Sequence, residues 1–173
     1  MSKVGSMMEE SLDPKDWEKM RALGHIMMDD MFDYLQHIHE KPVWQSIPEE
    51  SKSFFNEDLP LESSDADDVY VQFKTHILPY NKGNIHPRFW AWVQGTGTPM
   101  GVLADFLASS MNPNVTIGEQ SAMYVDLQVI HWCKQMLNYP ETASGMLLSG
   151  ASMANTTALI VARNHMIAFA RKQ

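Results

Sequence analysis

The chain of 173 residues has a single cysteine, Cys133, so it holds no disulfide framework of its own. It has no apolar run near the roughly 18–20 residues that a membrane-crossing helix needs. Its first ten residues, Met-Ser-Lys-Val-Gly-Ser-Met-Met-Glu-Glu, contain no apolar signal core. Basic residues are scarce as well: 13 Lys and Arg stand against 21 Asp and Glu, a net charge of −8. A surface that wraps a nucleic-acid backbone needs the opposite balance. The expectation is a cytoplasmic protein with neither a membrane nor a nucleic-acid partner. With 45% hydrophobic residues, the chain has enough apolar material for a core.

Charge is also missing from one half. Residues 1–70 carry 17 of the 21 acids and 6 of the 13 basic residues, whereas residues 71–173 carry only 4 and 7. So few charges cannot solvate every element of the second half. That half is expected to be buried by more protein than these 173 residues supply. The chain therefore reads as the front portion of a larger protein.

Asp13-Pro14 predicts the start of a first helix, with Asp13 as cap, Pro14 at the first helical position and Asp16 in the first turn. Trp17, Met20, Leu23, Met27, Met31, Leu35 and Ile38 then recur at helical spacing. Core packing within one domain and a dimer-forming arm account for this stripe equally well. Residues 42–68, acidic and interrupted by prolines, read as a linker with short turns. Ser64 and Asp67 suggest a capping box for a short helix through Val69, Phe73 and Ile77, ending at Pro79. Residues 85–93 read as extended and aromatic. Thr98-Pro99 predicts a helix over 100–110, and residues 118–137 a helix apolar on most faces and largely buried. Residues 145–149 read as one short buried strand, followed by Gly150-Ala151-Ser152 and a helix over 153–171.

Several motifs invite chemistry. Small residues at a helix start, with free N–H groups and the Ser152 hydroxyl, make an anion site. On position alone, plain helix capping by Ser152 is the favoured reading. Gly150-Ala151-Ser152-Met153-Ala154 is also one residue short of a hydrolase nucleophile elbow, but only His165 follows Ser152 and no acid does. Gly95-Thr96-Gly97-Thr98-Pro99-Met100-Gly101 fails as a dinucleotide fingerprint, because its third glycine comes late and no βαβ unit precedes it. His37, His39 and Glu40 read as an exposed helix end and no metal site is assigned. The sequons at Asn114 and Asn155 matter only in a secreted protein. The stripe methionines read as core filler, and Cys133 as inert within an apolar helix.

The run His86-Pro87-Arg88-Phe89-Trp90-Ala91-Trp92-Val93, followed by Gly95-Thr96-Gly97-Thr98-Pro99 and Leu103-Ala104-Asp105, resembles the group II pyridoxal-phosphate-dependent amino-acid decarboxylases. The resemblance continues through Asn112-Pro113-Asn114, Glu119-Gln120-Ser121, Leu148 to Thr156 and Ala162-Arg163, covering about half the chain in order. It implies a carboxy-lyase that binds its amino-acid substrate to pyridoxal 5'-phosphate (PLP) as an external aldimine and releases CO₂. Ala151 and Ser152 match the turn that holds the cofactor phosphate. Trp92 and Val93 match the positions that line the pocket for the substrate side chain, where Val93 departs from the usual aromatic. The family's Schiff-base lysine is expected after Gln173, so no catalytic residue is assigned here and the isolated chain is expected to be inactive.

The implied fold is mostly α as written: N-terminal helices, then the start of an α/β large domain of the aspartate aminotransferase-like class. Residues 1–85 would form a helical segment and acidic linker that makes a homodimer, and residues 86–173 the truncated start of the PLP-binding domain. Two other readings stay open: a serine hydrolase with Ser152 as nucleophile, and a non-catalytic dimerisation fragment.

Overall fold

The computed structural model describes residues 11–171, which divide into two compact units, 11–107 and 108–171. Among the described residues all regular structure is helical: α1 (Trp17–Gln36), α2 (Glu49–Phe54), α3 (Ala66–Gln72), α4 (Pro99–Met111), α5 (Ser121–Met136) and α6 (Ala151–Ala170). None of these helices is long and apolar enough to cross a membrane.

In the first unit, α1 begins three residues later than the Asp13-Pro14 signal predicts. Asp16, not Asp13, is the cap, and its carboxylate accepts from the backbone N–H groups of Glu18 (3.0 Å) and Lys19 (2.9 Å). Two candidate caps stand close together there, and the one that reaches two orphan donors wins. Of the apolar stripe, Leu23 is buried and Met31, Leu35 and Ile38 are half-buried, while Trp17, Met20 and Met27 face solvent.

Beside α1, in the same sense, runs α3. Lys19 bridges Asp65 (2.8 Å) and Asp67 (2.9 Å) at one end of the pair. At the other end, Asp30 accepts from the Tyr70 hydroxyl (2.8 Å) and Lys74 (2.9 Å). Asp65, not the expected Ser64, caps α3 by accepting from the Asp67 N–H at 3.1 Å. After Gln72 the helix widens into a π-turn, Phe73–Ile77, and tightens into a 3₁₀ turn, Leu78–Tyr80, that closes it near the expected Pro79. The Thr75 hydroxyl donates to the Val71 carbonyl (2.8 Å) where the widening begins. Within one turn, Lys74 thereby reaches α1 and His76 reaches α2.

The short α2 lies inside the stretch expected to be linker. Its Ser51 is buried with the hydroxyl 2.9 Å from His76 Nδ1, and Phe54 stacks on the same imidazole at 4.4 Å. Six residues make no stable helix alone, so contacts 25 residues away hold this one.

In the second unit, α5 and α6 form as expected, but neither contains a buried residue. The expectation that 118–137 is largely buried is not met, since nothing among the described residues covers it. Residues 145–149 form no strand and are exposed, because a strand needs a partner strand to satisfy its backbone. Residues 85–93 are likewise a run of turns and bends, not an extended segment. Packing in this unit is local. Lys134 donates to the carbonyls of Glu141 and Ala143, both at 2.9 Å, and ties the turn after α5 back to it. Gly145 lies so close to Ile130 that an added Cβ would sit 3.1 Å from its Cγ2.

Candidate functional site

Two of the expected site residues, Trp92 and Val93, lie on the loop of residues 84–95. Asn84 closes that loop by donating from Nδ2 to the Gly95 carbonyl at 3.0 Å. His86 anchors its interior. It is buried, its Nδ1 accepts from the Arg88 N–H (3.0 Å), and its Nε2 therefore carries the proton given to the Lys41 carbonyl (3.1 Å). The preceding turn is equally fixed. Gly83 has φ +74°, and a Cβ there would lie 1.8 Å from the Val43 carbonyl oxygen, so only glycine fits. Asn81 accepts from the Gly83 N–H (2.7 Å) and donates to the Tyr34 hydroxyl (2.6 Å) and the Leu78 carbonyl (3.1 Å).

This framework holds an open aromatic cleft of about 630 Å³, with Trp44, Tyr80, Phe89, Trp90 and Trp92 on its walls. Lys82 contributes the one ammonium on its lining, 4.5 Å from the Trp92 ring centroid. Trp92 itself has φ +57°, rare for a bulky aromatic. Val93 is fully exposed and stands outside the cleft lining. The structure thus puts Trp92 in an aromatic wall but not its neighbour.

Ala151 and Ser152 open α6 in the second unit. Gly150 caps the helix without a side-chain bond, and the first intrahelical donor is Ala154, whose N–H reaches the Gly150 carbonyl at 3.0 Å. The N–H groups of Ala151, Ser152 and Met153 therefore lack helical acceptors. No acid stands in the first turn to occupy them, and all three residues are exposed. With the Ser152 hydroxyl, this is a four-donor set at the positive end of a 20-residue helix. Among the described residues no histidine or carboxylate bonds Ser152, so the hydrolase reading finds no base to activate it. The same residues hold no cluster of three metal-ligating side chains; His37 instead bonds the Asp33 carbonyl of its own helix at 2.9 Å. Cys133 is half-buried on α5.

Outside these two places, the perturbed ionisable groups belong to the helix pairing. Burial and the bond to Asp30 raise the Tyr70 hydroxyl to about 12. Lys74 and Tyr70 lower the Asp30 carboxyl, and Lys19 lowers that of Asp65. The Glu119 carboxylate raises Tyr124 through a 2.6 Å hydrogen bond.

Residues 48–173 match the pyridoxal-dependent decarboxylase conserved domain. This chain belongs to the pyridoxal-dependent decarboxylase family. The family chain is 37% identical over 149 residues to an aromatic-L-amino-acid decarboxylase of Bacillus atrophaeus, covering 84% of the chain and 31% of that relative. It is 26% identical over 169 residues to tyrosine decarboxylase 2 of Narcissus pseudonarcissus, covering 92% and 34%. Among solved structures, it matches Catharanthus roseus tryptophan decarboxylase in complex with L-tryptophan with a TM-score of 0.62 at 23% identity, over 74% of this chain and 27% of that one. Oryza sativa TDC with PLP and tryptamine matches with a TM-score of 0.61 at 23% identity, over 75% and 27%. At those identities the likeness shows a shared fold over the matched residues. The chain spans about a third of the length of the curated relatives it matches.

The sequence singles out Trp92, which stands in the aromatic wall, and the α6 turn, whose donors are open. It missed Lys82, Gly83, Asn84 and His86 as the parts that fix the aromatic loop. Only the glycine between two polar residues signalled a turn there.

Proposed function

We propose that this chain is the N-terminal part of a cytoplasmic, homodimeric, PLP-dependent decarboxylase that releases CO₂ from an aromatic L-amino acid. The single observation that carries the reading is the open donor set at the start of α6 in a chain of this family. It fits a phosphate: three unclaimed backbone N–H groups, one hydroxyl, no competing acid, and open space around Gly150. Ala151 and Ser152 would hold that phosphate, the first through its N–H and the second through N–H and hydroxyl. When bound, PLP supplies the electron sink that decarboxylation needs.

The chain's own residues do the holding and the sorting. Trp92 and its aromatic neighbours give a flat apolar side chain a wall to stack on, which supports an aromatic substrate. Val93 would join that pocket only from outside the described cleft. Residues 1–85 would serve the dimer, a role supported by the exposed Trp17, Met20 and Met27 on α1. Residues 86–173 would begin the cofactor-binding large domain of the aspartate aminotransferase-like fold. The lysine that completes the chemistry belongs beyond these residues, and the lone Cys133 fits a reducing compartment.

The test is CO₂ release from L-tryptophan, L-tyrosine and L-phenylalanine by the full-length enzyme with PLP, beside the 173-residue chain alone. Release by the first and none by the second is expected. In the full-length enzyme, Ser152→Ala should weaken PLP binding about tenfold or more, the worth of one hydrogen bond to a charged group. Unchanged PLP affinity would refute the phosphate role, and CO₂ release by the short chain would refute the division of labour.

A further inference from the structure

Trp92 poses a mechanical question. Its backbone stands at φ +57°, a conformation that is costly for an aromatic residue and persists only where contacts hold it. Yet the residue is 76% exposed, so few contacts are available. Two are present: the Phe89 ring, tilted at 6.4 Å, and the Lys82 ammonium, 4.5 Å above the indole centroid. Lys82 has no carboxylate partner among the described residues. It stands between Asn81, whose amide makes three hydrogen bonds, and Gly83, whose conformation is obligatory. A fixed turn thus presents a cation to a strained indole on a loop that is itself pinned by Asn84 and His86.

We propose that Lys82 is a positioning residue for the aromatic cleft, holding the Trp92 indole in place by a cation–π contact so that one ring face stays covered and the other serves a substrate side chain. The alternative is a solvated surface lysine that makes no difference to Trp92. Position and charge argue against it. An ammonium over a ring face is attracted by the ring quadrupole, and no carboxylate among the described residues draws Lys82 away. For its kinetic consequence, the inference rests on the decarboxylase reading above; the contact itself does not.

The experiment takes the full-length protein with Lys82→Met and Lys82→Arg, each alone and combined with Trp92→Phe. Tryptophan emission is read first, the Trp92 share being the difference from the matching Trp92→Phe protein. That share should change in Lys82→Met and be retained in Lys82→Arg. The Michaelis constant for L-tryptophan is read second. It should rise about two- to fivefold in Lys82→Met, the fold-change that an exposed cation–π contact is worth, with kcat changed less. Lys82→Arg should restore it, and the effect should vanish in the Trp92→Phe background. Equal behaviour of the Met and Arg variants, or an undiminished effect without Trp92, would overturn the proposal. Should wild-type protein release no CO₂ from L-tryptophan, the substrate reading fails, and the emission cycle alone decides the role of Lys82.

Discussion

The two units differ less in how much apolar material they contain than in what stands opposite it. Residues 11–107 include Leu23, Ser51, Tyr70 and His86, all buried, three of them hydrogen-bonded through their side chains. Residues 108–171 include none, although α5 and α6 carry Val125, Trp132, Leu159, Val161 and Phe169 on exposed positions. The first unit closes part of its surface through specific anchors, although Trp17, Met20 and Met27 stay exposed, while the second has no buried anchor and leaves its apolar faces open. Apolarity shows that a segment wants burial; it does not supply the partner. The first unit supplies some of its own partners, whereas the second supplies none among the described residues.

That contrast can be broken from the front. Gly83→Ala forces a Cβ into the Val43 carbonyl at a positive φ, so it should destabilise the first unit by about 2–4 kcal/mol and leave the helicity of α5 and α6 unchanged. Chemical denaturation followed by the emission of Trp44 and Trp90 would show the loss. An unchanged midpoint would mean that the 81–86 turn is not a keystone.

A smaller effect sharpens the same point through pH. The folded Tyr70 hydroxyl ionises near 12, above its ordinary 10, so its stabilising contribution is complete below pH 10 and fades as pH rises through about 12. The lowered Asp30 carboxyl acts in the other direction: its contribution is complete above the ordinary carboxylate value of 3.8 and is lost as pH falls through its lower folded value. Tyr70→Phe should abolish the alkaline effect and cost about 1–2 kcal/mol at neutral pH. Unfolding midpoints measured across pH would check both limbs, and an alkaline limb that survives in Tyr70→Phe would contradict the assignment.

The parts that could be read from the sequence were those specified by neighbours a few residues away. Thr98-Pro99 marks the start of α4 because a hydroxyl needs to reach only the Gly101 N–H, at 3.0 Å. Caps failed where two candidates competed, as at Asp13 against Asp16 and Ser64 against Asp65. The short α2 had no local signal, since its Ser51 and Phe54 answer to His76 on a distant turn. The strand expected at 145–149 was a statement about a sheet, and no second strand stands among the described residues to make one. At the site, the α6 turn was legible because small residues before a helix are a local pattern. Trp92 came from resemblance, and its supports from residues whose pairings only the fold creates.

Hydrogen exchange tests the central contrast most directly, measured on the 173-residue chain alone and within the full-length enzyme. In the chain alone, the amides of α1 and of residues 66–80 should be protected while those of α5 and α6 exchange rapidly, and both sets should be protected in the full-length protein. Equal protection of α5 and α6 in the isolated chain would contradict it.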